Sequence, residues 1–256
     1  MTGHVELTVK DGVAHIVLAR PEKHNAITPD MAQELGRICH DVDRRDDVRA
    51  VTIAGAGEKS FSAGSDLNAL ADISDLWAFR NRVEYAAVVR DIRKPVIAGL
   101  KGWVLGGGME IALAADIRIA GRSARIGGPE VTRGWVGGGG ASQMLPRLIG
   151  YGQAMKLLLT SDPVDADTAL RMGLVEEVVD DVGVLARVGE LATKIASFSP
   201  IATQAVKASV RAALSMPLAE GLKYENEIHV ICMSAKDRLE GIQAFQEGRA
   251  GKFSGS

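Results

Sequence analysis

The amino-acid sequence predicts an α/β fold in which short paired strands alternate with helices and the C-terminal part is helical throughout. Short, largely apolar runs at residues 48–54 and 96–100 are bounded by charged residues, glycine or proline, which is typical of buried strands. After residue 179 the apolar residues recur with helical spacing only. We therefore expect a strand-containing core at residues 1–198 and a helical region at residues 199–256.

Composition and charge exclude some classes of partner. The chain has 256 residues, of which 46% are apolar and 24% charged, with 30 basic residues against 32 acidic ones. This balance gives no general attraction to nucleic acid or to a membrane surface, so we expect neither as a partner. Cys39 and Cys232 have no pairing pattern, and the N-terminal residues lack a signal pattern, from which we expect a cytoplasmic protein with reduced cysteines.

The first elements are a hairpin and a helix. Residues 5–9 alternate apolar and polar side chains, an Asp-Gly turn follows, and residues 13–18 form a second strand. His15 falls inside that strand, where we expect a packed histidine rather than a catalytic one. Thr28 before a proline is a typical helix start, and apolar residues at helical spacing continue to Val42.

Two turns rich in small residues follow the first of the buried strands. The turn at residues 55–60 has only two glycines and no Gly-Lys-Ser/Thr ending, so it does not match a nucleotide-binding loop. The turn at residues 61–67 ends with Ser65 and Asp66, which are suited to cap a helix. Residues 68–93 have a helical pattern with several arginines, and we expect a helix with a solvated face.

The stretch at residues 101–116 combines a carboxylate with a glycine-rich helix start. Glu110 is the one charge between its terminal residues, in a run too short to span a membrane, which indicates a buried helix. The glycines at 106–108 allow a ligand to approach the N–H groups at the helix start. A buried carboxyl group is costly unless it is paired, neutralised or used. Glu110 is therefore a candidate functional group, although a carboxylate in a first helical turn also complements the helix dipole.

A second carboxylate, Glu130, lies between glycine-rich segments. Its spacing alone indicates a solvated side chain or an ion pair with Arg133. Five glycines at residues 134–140 again permit close approach to the backbone. The sequence has no GxSxG motif, no HExxH motif and no His/Cys cluster, so we expect neither a serine nucleophile nor a bound metal.

Several segments, in order along nearly the whole chain, together resemble the enoyl-CoA hydratase/isomerase (crotonase) family. They are residues 18–27, 61–67, 94–99, 106–110, 116–120, 128–131 and 238–247. The resemblance implies a crotonase-like spiral of ββα units, with residues 1–198 as the catalytic core and residues 199–256 as a helical trimerisation region. It also implies acyl-CoA substrates and assembly as a homotrimer or a dimer of trimers. Coenzyme A enters as part of the substrate, so no separate cofactor is expected.

The resemblance assigns an oxyanion hole to the backbone N–H groups of Ser65 and Gly107. A thioester oxygen gains negative charge as an enolate forms, and fixed N–H donors at a helix start stabilise that charge. The side chain of Ser65 is incidental in this interpretation, because its N–H group is the donor.

Family members that hydrate a 2-enoyl thioester use two glutamates, whose positions match Glu110 and Glu130. One carboxylate takes a proton from the water that attacks C3, and the other supplies a proton at C2. Because both are present, enoyl-CoA hydration is the leading hypothesis. The alternative is a family isomerase, hydrolase or lyase acting on a specialised acyl-CoA, for which Trp103 and Trp135 are the motivating residues. A non-catalytic scaffold or an RNA-binding relative is the third hypothesis, and the charge balance argues against RNA.

The resemblance further implies contacts to coenzyme A. Ala63 and Leu67 match positions whose backbones contact the adenine, and Lys23 matches a loop near the pantetheine and phosphates, with a simple exposed lysine as the alternative. Residues 248–253 depart from the family's usual basic ending, which weakens the case for a C-terminal contact to coenzyme A. The complete expected substrate-binding set is Lys23, Ala63, Ser65, Asp66, Leu67, Asn68 and Gly107.

Overall fold

The computed structural model describes residues 3–256, in which ten strands and twelve α-helices form a layered α/β fold. The strands are β1 (His4–Lys10), β2 (Val13–Ala19), β3 (Ala50–Gly55), β4 (Ser60–Ser62), β5 (Val96–Leu100), β6 (Trp103–Leu105), β7 (Ile117–Gly121), β8 (Arg125–Gly127), β9 (Val164–Asp165) and β10 (Glu177–Val179). The helices are α1 (Pro29–Arg44), α2 (Leu67–Ala71), α3 (Leu76–Arg80), α4 (Tyr85–Arg90), α5 (Gly107–Ala114), α6 (Ala141–Ile149), α7 (Tyr151–Thr160), α8 (Ala166–Met172), α9 (Val184–Ala196), α10 (Pro200–Ala212), α11 (Leu218–Ser234) and α12 (Asp237–Glu247).

The strands form two sheets that the chain visits alternately. The larger sheet has the order β1-β2-β3-β5-β7-β10, and the smaller one has the order β4-β6-β8-β9. Neighbouring strands are parallel except for the pairs β1–β2 and β8–β9. In β3–β4, β5–β6 and β7–β8 the first strand joins the larger sheet and the second joins the smaller one. This repetition confirms the predicted spiral of strand–strand–helix units.

The N-terminal hairpin is formed as the sequence predicts. His4 pairs with Ala19, and the turn between β1 and β2 has positive φ angles at Asp11 and Gly12. This turn type needs left-handed backbone at both central positions, which Asp-Gly tolerates. His15 shares a hydrogen bond of 2.9 Å with the Thr52 hydroxyl in β3 and is a packed histidine, as expected.

The segment at residues 68–93 differs from its prediction as one continuous helix. The structure has three short helices, α2, α3 and α4, separated by turns. The carboxylate of Asp75 accepts hydrogen bonds from the first N–H groups of α3, and that of Glu84 does the same for α4. These two residues act as N-caps, which start a new helix where the apolar spacing alone would continue the old one.

Buried residues on the two faces of the larger sheet pack against different helices. Val13, Ala50, Ile97 and Ile119 pack on one face against apolar side chains of α9. The opposite face belongs to the main core, which also contains the buried stripe of α1 and all of α5. Helix α5 is thus enclosed on every side, as the apolar run at residues 101–116 predicts.

Helix α10 is tied to the core by a buried ionic cluster. Asp116 accepts from the Lys207 ammonium at 2.7 Å and from the Arg211 guanidinium at 2.8 Å. Lys207 also donates to the Lys94 carbonyl oxygen. These contacts fix the start of the C-terminal helical region against the end of α5. Across residues 3–256, each helix is too short or too polar to cross a membrane.

Candidate active site

Helix α5 begins at a glycine turn that directs an N–H group into a cavity. Gly106 has a positive φ of 54° and connects β6 to Gly107, the first helical residue. The first N–H groups of a helix have no partner inside the helix. In the part of the chain that the structure describes, no acceptor is bonded to the Gly107 N–H group. Glycine therefore suits this turn for two reasons: Gly106 adopts a left-handed backbone conformation, and Gly107 leaves its N–H donor accessible.

A second turn rich in small residues lies directly against the first. Gly64 has a φ of 86°, and the N–H group of the next residue, Ser65, likewise has no acceptor within residues 3–256. A methyl group at Gly64 would lie 2.7 Å from the Gly107 nitrogen, so the two turns are in contact. The structure brings together the two N–H groups that the sequence singles out.

The turn at Ser65 is held by a loop whose role the sequence reading missed. Asn25 is completely buried, and its side-chain amide donates to the carbonyl oxygens of Ala56 and Ser60. Its Oδ1 accepts from the Arg20 N–H group. The φ of 53° at Asn25 is a left-handed conformation that asparagine tolerates well. This loop anchors the start of β4 and thereby the turn that follows it.

Asp66 has a structural role beside its place at the cavity. It caps α2 by accepting from the N–H groups of Asn68 and Ala69, and it pairs with Arg20 at 2.5 Å. The hydrogen bond from Arg20, reinforced by the cap, holds the pKa of Asp66 below its usual range. The Asp66 carboxylate therefore stays ionised, and its oxygens already accept hydrogen bonds from the protein.

A cavity of about 570 Å³ opens beside these turns. Trp135 lies in its wall, whereas Trp103 does not and is 42% exposed on β6. The cavity is lined by all nine predicted site residues, Lys23, Ala63, Ser65, Asp66, Leu67, Asn68, Gly107, Glu110 and Glu130. Residues from four separate parts of the chain thus meet at one place.

Glu110 is buried, and the protein fixes its orientation. Its side chain is 4% exposed, and its Oε1 accepts from the N–H groups of Gly139 at 2.7 Å and Ala141 at 3.2 Å. A methyl group at Gly137 or Gly139 would lie within 3 Å of the carboxylate, so these glycines permit the contact. Burial raises the pKa of Glu110, and the two N–H donors oppose that rise.

Glu130 is also buried, which contradicts its interpretation as a solvated or Arg133-paired carboxylate. It is 8% exposed at the start of the 3₁₀ turn Glu130–Arg133. The Arg133 guanidinium donates to the Pro129 carbonyl oxygen instead. No other residue within the described part of the chain donates a hydrogen bond to the Glu130 carboxylate. Burial raises its pKa, and its own N–H group and the charge of Arg133 reduce the rise.

The two glutamates are close enough to affect each other. The charge of Glu130 contributes to the raised pKa of Glu110, after burial as the main cause. Two buried carboxyl groups in one cavity are most stable when only one of them is ionised. The charge of one carboxylate therefore disfavours ionisation of the other.

Other residues in the cavity wall escaped the sequence reading. The Tyr85 hydroxyl lies 2.8 Å from the Ser65 hydroxyl, and Arg82 and Glu84 line the cavity nearby. All three belong to the segment predicted as a solvated helix, and after the irregular break before α4 Tyr85 is buried, Glu84 is partly buried and Arg82 is exposed. The described chain contains no group of three or more His, Cys, Asp or Glu residues arranged to hold a metal ion.

Comparison with known proteins places this site in a family. A family model described as enoyl-CoA hydratase/isomerase matches residues 8–256. The chain therefore belongs to the enoyl-CoA hydratase/isomerase family, as the sequence motifs indicate. Solved structures agree. An enoyl-CoA hydratase from Bacillus anthracis has a TM-score of 0.94 at 35% identity, with 99% of this chain and 100% of that chain covered.

Two curated relatives are similar over almost their whole length. One is the (E)-benzylidenesuccinyl-CoA hydratase of Thauera aromatica, which is 37% identical over 98% of this chain and 99% of its own. The other is the short-chain-enoyl-CoA hydratase of Clostridium acetobutylicum, which is 36% identical over 94% of each chain. Both are named as hydratases of unsaturated CoA thioesters, and their acyl groups differ greatly in size.

Proposed function

We propose that this protein is an enoyl-CoA hydratase that adds water across the double bond of a 2-enoyl-CoA. One observation carries the proposal. Glu110 and Glu130 line a single cavity beside two N–H groups that have no acceptor within residues 3–256, and the Glu110 carboxylate accepts hydrogen bonds from two other residues. Addition of water to an unsaturated thioester needs a proton acceptor for the water, a proton donor for C2 and donors for the thioester oxygen, and these groups can supply all three.

The thioester oxygen binds between the N–H groups of Ser65 and Gly107. Addition at C3 moves electron density from the double bond onto this oxygen, and the two donors and the start of α5 stabilise it. In other enzymes one such donor contributes about 3 kcal/mol to the transition state. The contact between Gly64 and Gly107 keeps the donors in place without rearrangement during the reaction.

The glutamates divide the proton transfers. Glu110 acts as the base, because its two N–H donors favour the carboxylate form. Glu130 acts as the acid, because burial favours its protonated form and outweighs the opposing effects of its own N–H group and of the Arg133 charge. The water oxygen bonds to C3, its proton passes to Glu110, and the Glu130 proton passes to C2. The Glu110 proton then returns to Glu130 through solvent. Water is the only co-reactant, so we propose that no separate cofactor takes part.

Coenzyme A lies on the side of the cavity formed by the loop before α1 and the start of α2. The backbones of Ala63 and Leu67 contact the adenine, with Asp66 and Asn68 beside them. Lys23 is exposed at the rim of the cavity and binds an anionic part of coenzyme A. Its charge lets the cavity attract an anion although the whole chain has a net charge of −2.

The proposal is tested with crotonyl-CoA and longer 2-enoyl-CoAs. Hydration removes the absorbance of the conjugated thioester, and mass spectrometry identifies a 3-hydroxyacyl-CoA product. We expect both signals with the wild-type protein. An isomeric enoyl-CoA of unchanged mass would contradict hydration and indicate isomerisation, and release of free coenzyme A with the unsaturated acid would indicate thioester hydrolysis; both are family alternatives that need only one of the two glutamates.

A second candidate is hydration of a bulky or charged acyl group, favoured by the wall opposite the coenzyme A side. Trp135 lines this wall, and the Arg82 guanidinium lies over the Phe79 ring without a carboxylate partner in the described residues. An unpaired guanidinium in a cavity is suited to bind a carboxylate on the substrate. The named substrate of the Thauera relative, (E)-benzylidenesuccinyl-CoA, has such an acyl group.

This candidate is tested by comparing kcat/KM for crotonyl-CoA, cinnamoyl-CoA and glutaconyl-CoA. If the second candidate is right, glutaconyl-CoA is preferred over crotonyl-CoA, and Arg82→Gln removes the preference. Arg80→Gln is the matched control, since Arg80 lies over Trp77 outside the cavity wall. A wild-type preference for crotonyl-CoA would reject it in favour of the simple short-chain substrate.

We also propose assembly as a homotrimer or a dimer of trimers through residues 199–256. All 17 residues of α11 are at least partly exposed, although many are apolar. Leu218 is 78% exposed and Phe245 in α12 is 88% exposed. Apolar surface of this extent is typical of a protein–protein interface. Light scattering during gel filtration measures the assembly mass, and a monomer would contradict the proposal.

Free Cys39 and Cys232 are consistent with a cytoplasmic location.

A further inference from the structure

The Tyr85 phenol occupies a position at the oxyanion hole that the proposed mechanism does not use. Its hydroxyl oxygen lies 2.8 Å from the Ser65 hydroxyl. On its other side it abuts Gly107, where an added methyl group would overlap the phenol oxygen. Tyr85 is 9% exposed and lines the same cavity as the glutamates. A single hydroxyl group therefore touches both residues whose N–H groups bind the thioester oxygen.

The phenol keeps its proton under working conditions. Burial raises the pKa of Tyr85 to about 12, with the carboxylates of Glu110 and Glu84 contributing in the same direction. A neutral phenol has one proton to donate. Where that proton points depends on the single hydrogen bond that the phenol oxygen makes within residues 3–256, the one with Ser65.

We propose that the Ser65 hydroxyl donates to Tyr85, and that Tyr85 directs its own proton at the thioester oxygen as a third donor of the oxyanion hole. The Ser65 hydroxyl then has a function that the sequence interpretation denied it. Tyr85 is the first residue of α4, and the Glu84 carboxylate caps that helix through the N–H groups of Ala86 and Ala87. The cap fixes the backbone that holds the phenol, so the third donor is in place before substrate binds.

The inference rests on the proposed binding of a thioester at this site, and the test separates the two. The variants are Tyr85→Phe and Ser65→Ala, with Tyr151→Phe as the matched control. Tyr151 is exposed at the start of α7, away from the cavity wall. Two properties are measured, kcat and KM for crotonyl-CoA, and the pH at which bound acetoacetyl-CoA ionises to its enolate, followed by its ultraviolet absorbance.

A third donor contributes mainly in the transition state, so kcat changes more than KM. We expect Tyr85→Phe to lower kcat about 10- to 100-fold while changing KM by less than about threefold. The bound enolate should form only at higher pH, because its negative oxygen has lost a donor. Ser65→Ala should produce a smaller change in the same direction, because the phenol remains but is no longer oriented.

Two results would overturn the inference. One is a Tyr85→Phe variant with wild-type kcat and an unchanged enolate ionisation. The other is a loss of kcat with an unchanged enolate, which would make Tyr85 a packing residue. If Tyr85→Phe does not fold, an unshifted enolate in Ser65→Ala overturns it as well. If the wild-type protein hydrates no enoyl-CoA but Tyr85→Phe still raises the pH at which the bound enolate forms, the proposed hydration is rejected and the third donor is supported.

Discussion

Glu110 and Glu130 occupy the same cavity but are held in different ways. Glu110 lies in the regular helix α5, and two N–H groups from the glycine-rich segment before α6 bind its Oε1. Glu130 begins a 3₁₀ turn, and no other residue in the described chain donates a hydrogen bond to its carboxylate. Both side chains are less than a tenth exposed. Burial is nearly equal, so hydrogen bonding is what distinguishes them.

The difference in hydrogen bonding distinguishes two carboxyl groups whose separate roles cannot be assigned from the sequence alone. Burial raises both pKa values, and N–H groups of the glycine-rich segment before α6 oppose the rise at Glu110, whereas at Glu130 its own N–H group does so. In the proposed mechanism this difference makes Glu110 the base and Glu130 the acid. Charge pairing would have fixed both as carboxylates.

The largest effect is expected when either glutamate loses its ability to exchange a proton. Glu110→Gln and Glu130→Gln should each lower kcat for crotonyl-CoA hydration about 10³-fold, within the usual range for a general acid or base. Because the two act as a unit, the double variant should be little slower than either single one. Glu190→Gln, on the exposed side of α9, is the control. Wild-type rates in both single variants would remove the glutamates from the mechanism.

The next effect concerns the N–H donor that Gly107 supplies to the thioester oxygen in the proposed mechanism. In Gly107→Ala the new methyl group meets the Tyr85 phenol and displaces the α5 start, so we expect a loss of about 10²-fold in kcat. Gly152→Ala is the matched control, because an added methyl group in α7 meets nothing within 4 Å. Equal activity in the two alanine variants would show that the turn at Gly107 does not bind the reacting oxygen.

The pH dependence of kcat/KM should be bell-shaped. Activity requires ionised Glu110, so it rises as the pH increases through the pKa of Glu110, and it requires protonated Glu130, so it falls as the pH increases through the pKa of Glu130. Both pKa values are raised by burial, so both limbs should lie above the ordinary glutamate value of about 4.3. The profile belongs to the coupled pair. An acidic limb at the ordinary glutamate value would contradict the burial of the pair.

The smallest effect is on stability. A carboxyl group whose pKa is raised in the folded state contributes stability that is complete below its unfolded pKa and is lost as the pH rises through its folded pKa. Glu110→Gln avoids this loss, and its amide oxygen can accept both N–H donors of Oε1. At neutral pH we expect a thermal midpoint about 2–4 °C higher, typical of about 1 kcal/mol in a chain of this size. A lower midpoint, measured by calorimetry, would contradict the unfavourable burial of the charge.

The sequence predicts the fold and half of the site because these depend on local patterns. The apolar run around Glu110 can only be a buried helix, and the glycines before it indicate a close approach to the backbone. The strand–strand–helix repetition follows from short apolar runs and their turns. The family motifs connect these local signals to one another, and so Ser65 and Gly107 are found as a pair.

Other features depend on contacts between distant parts of the chain. Glu130 is surrounded by polar and small residues in sequence, and its burial follows from packing against Gly106 and Gly128. The capping carboxylates of Asp75 and Glu84 break the segment predicted as one helix, and the break turns Tyr85 into the cavity. Apolar periodicity indicates neither the burial of Glu130 nor the break that places Tyr85 in the cavity.

The division of roles between the glutamates is tested most directly by proton exchange at C2 of butyryl-CoA in heavy water. This saturated thioester has no double bond to hydrate, so exchange requires the oxyanion hole and the group facing C2, but no base at C3. We expect Glu130→Gln to abolish deuterium incorporation, measured by mass spectrometry, and Glu110→Gln to retain it within about tenfold of the wild-type rate. Exchange that is lost in Glu110→Gln and kept in Glu130→Gln would contradict the assignment.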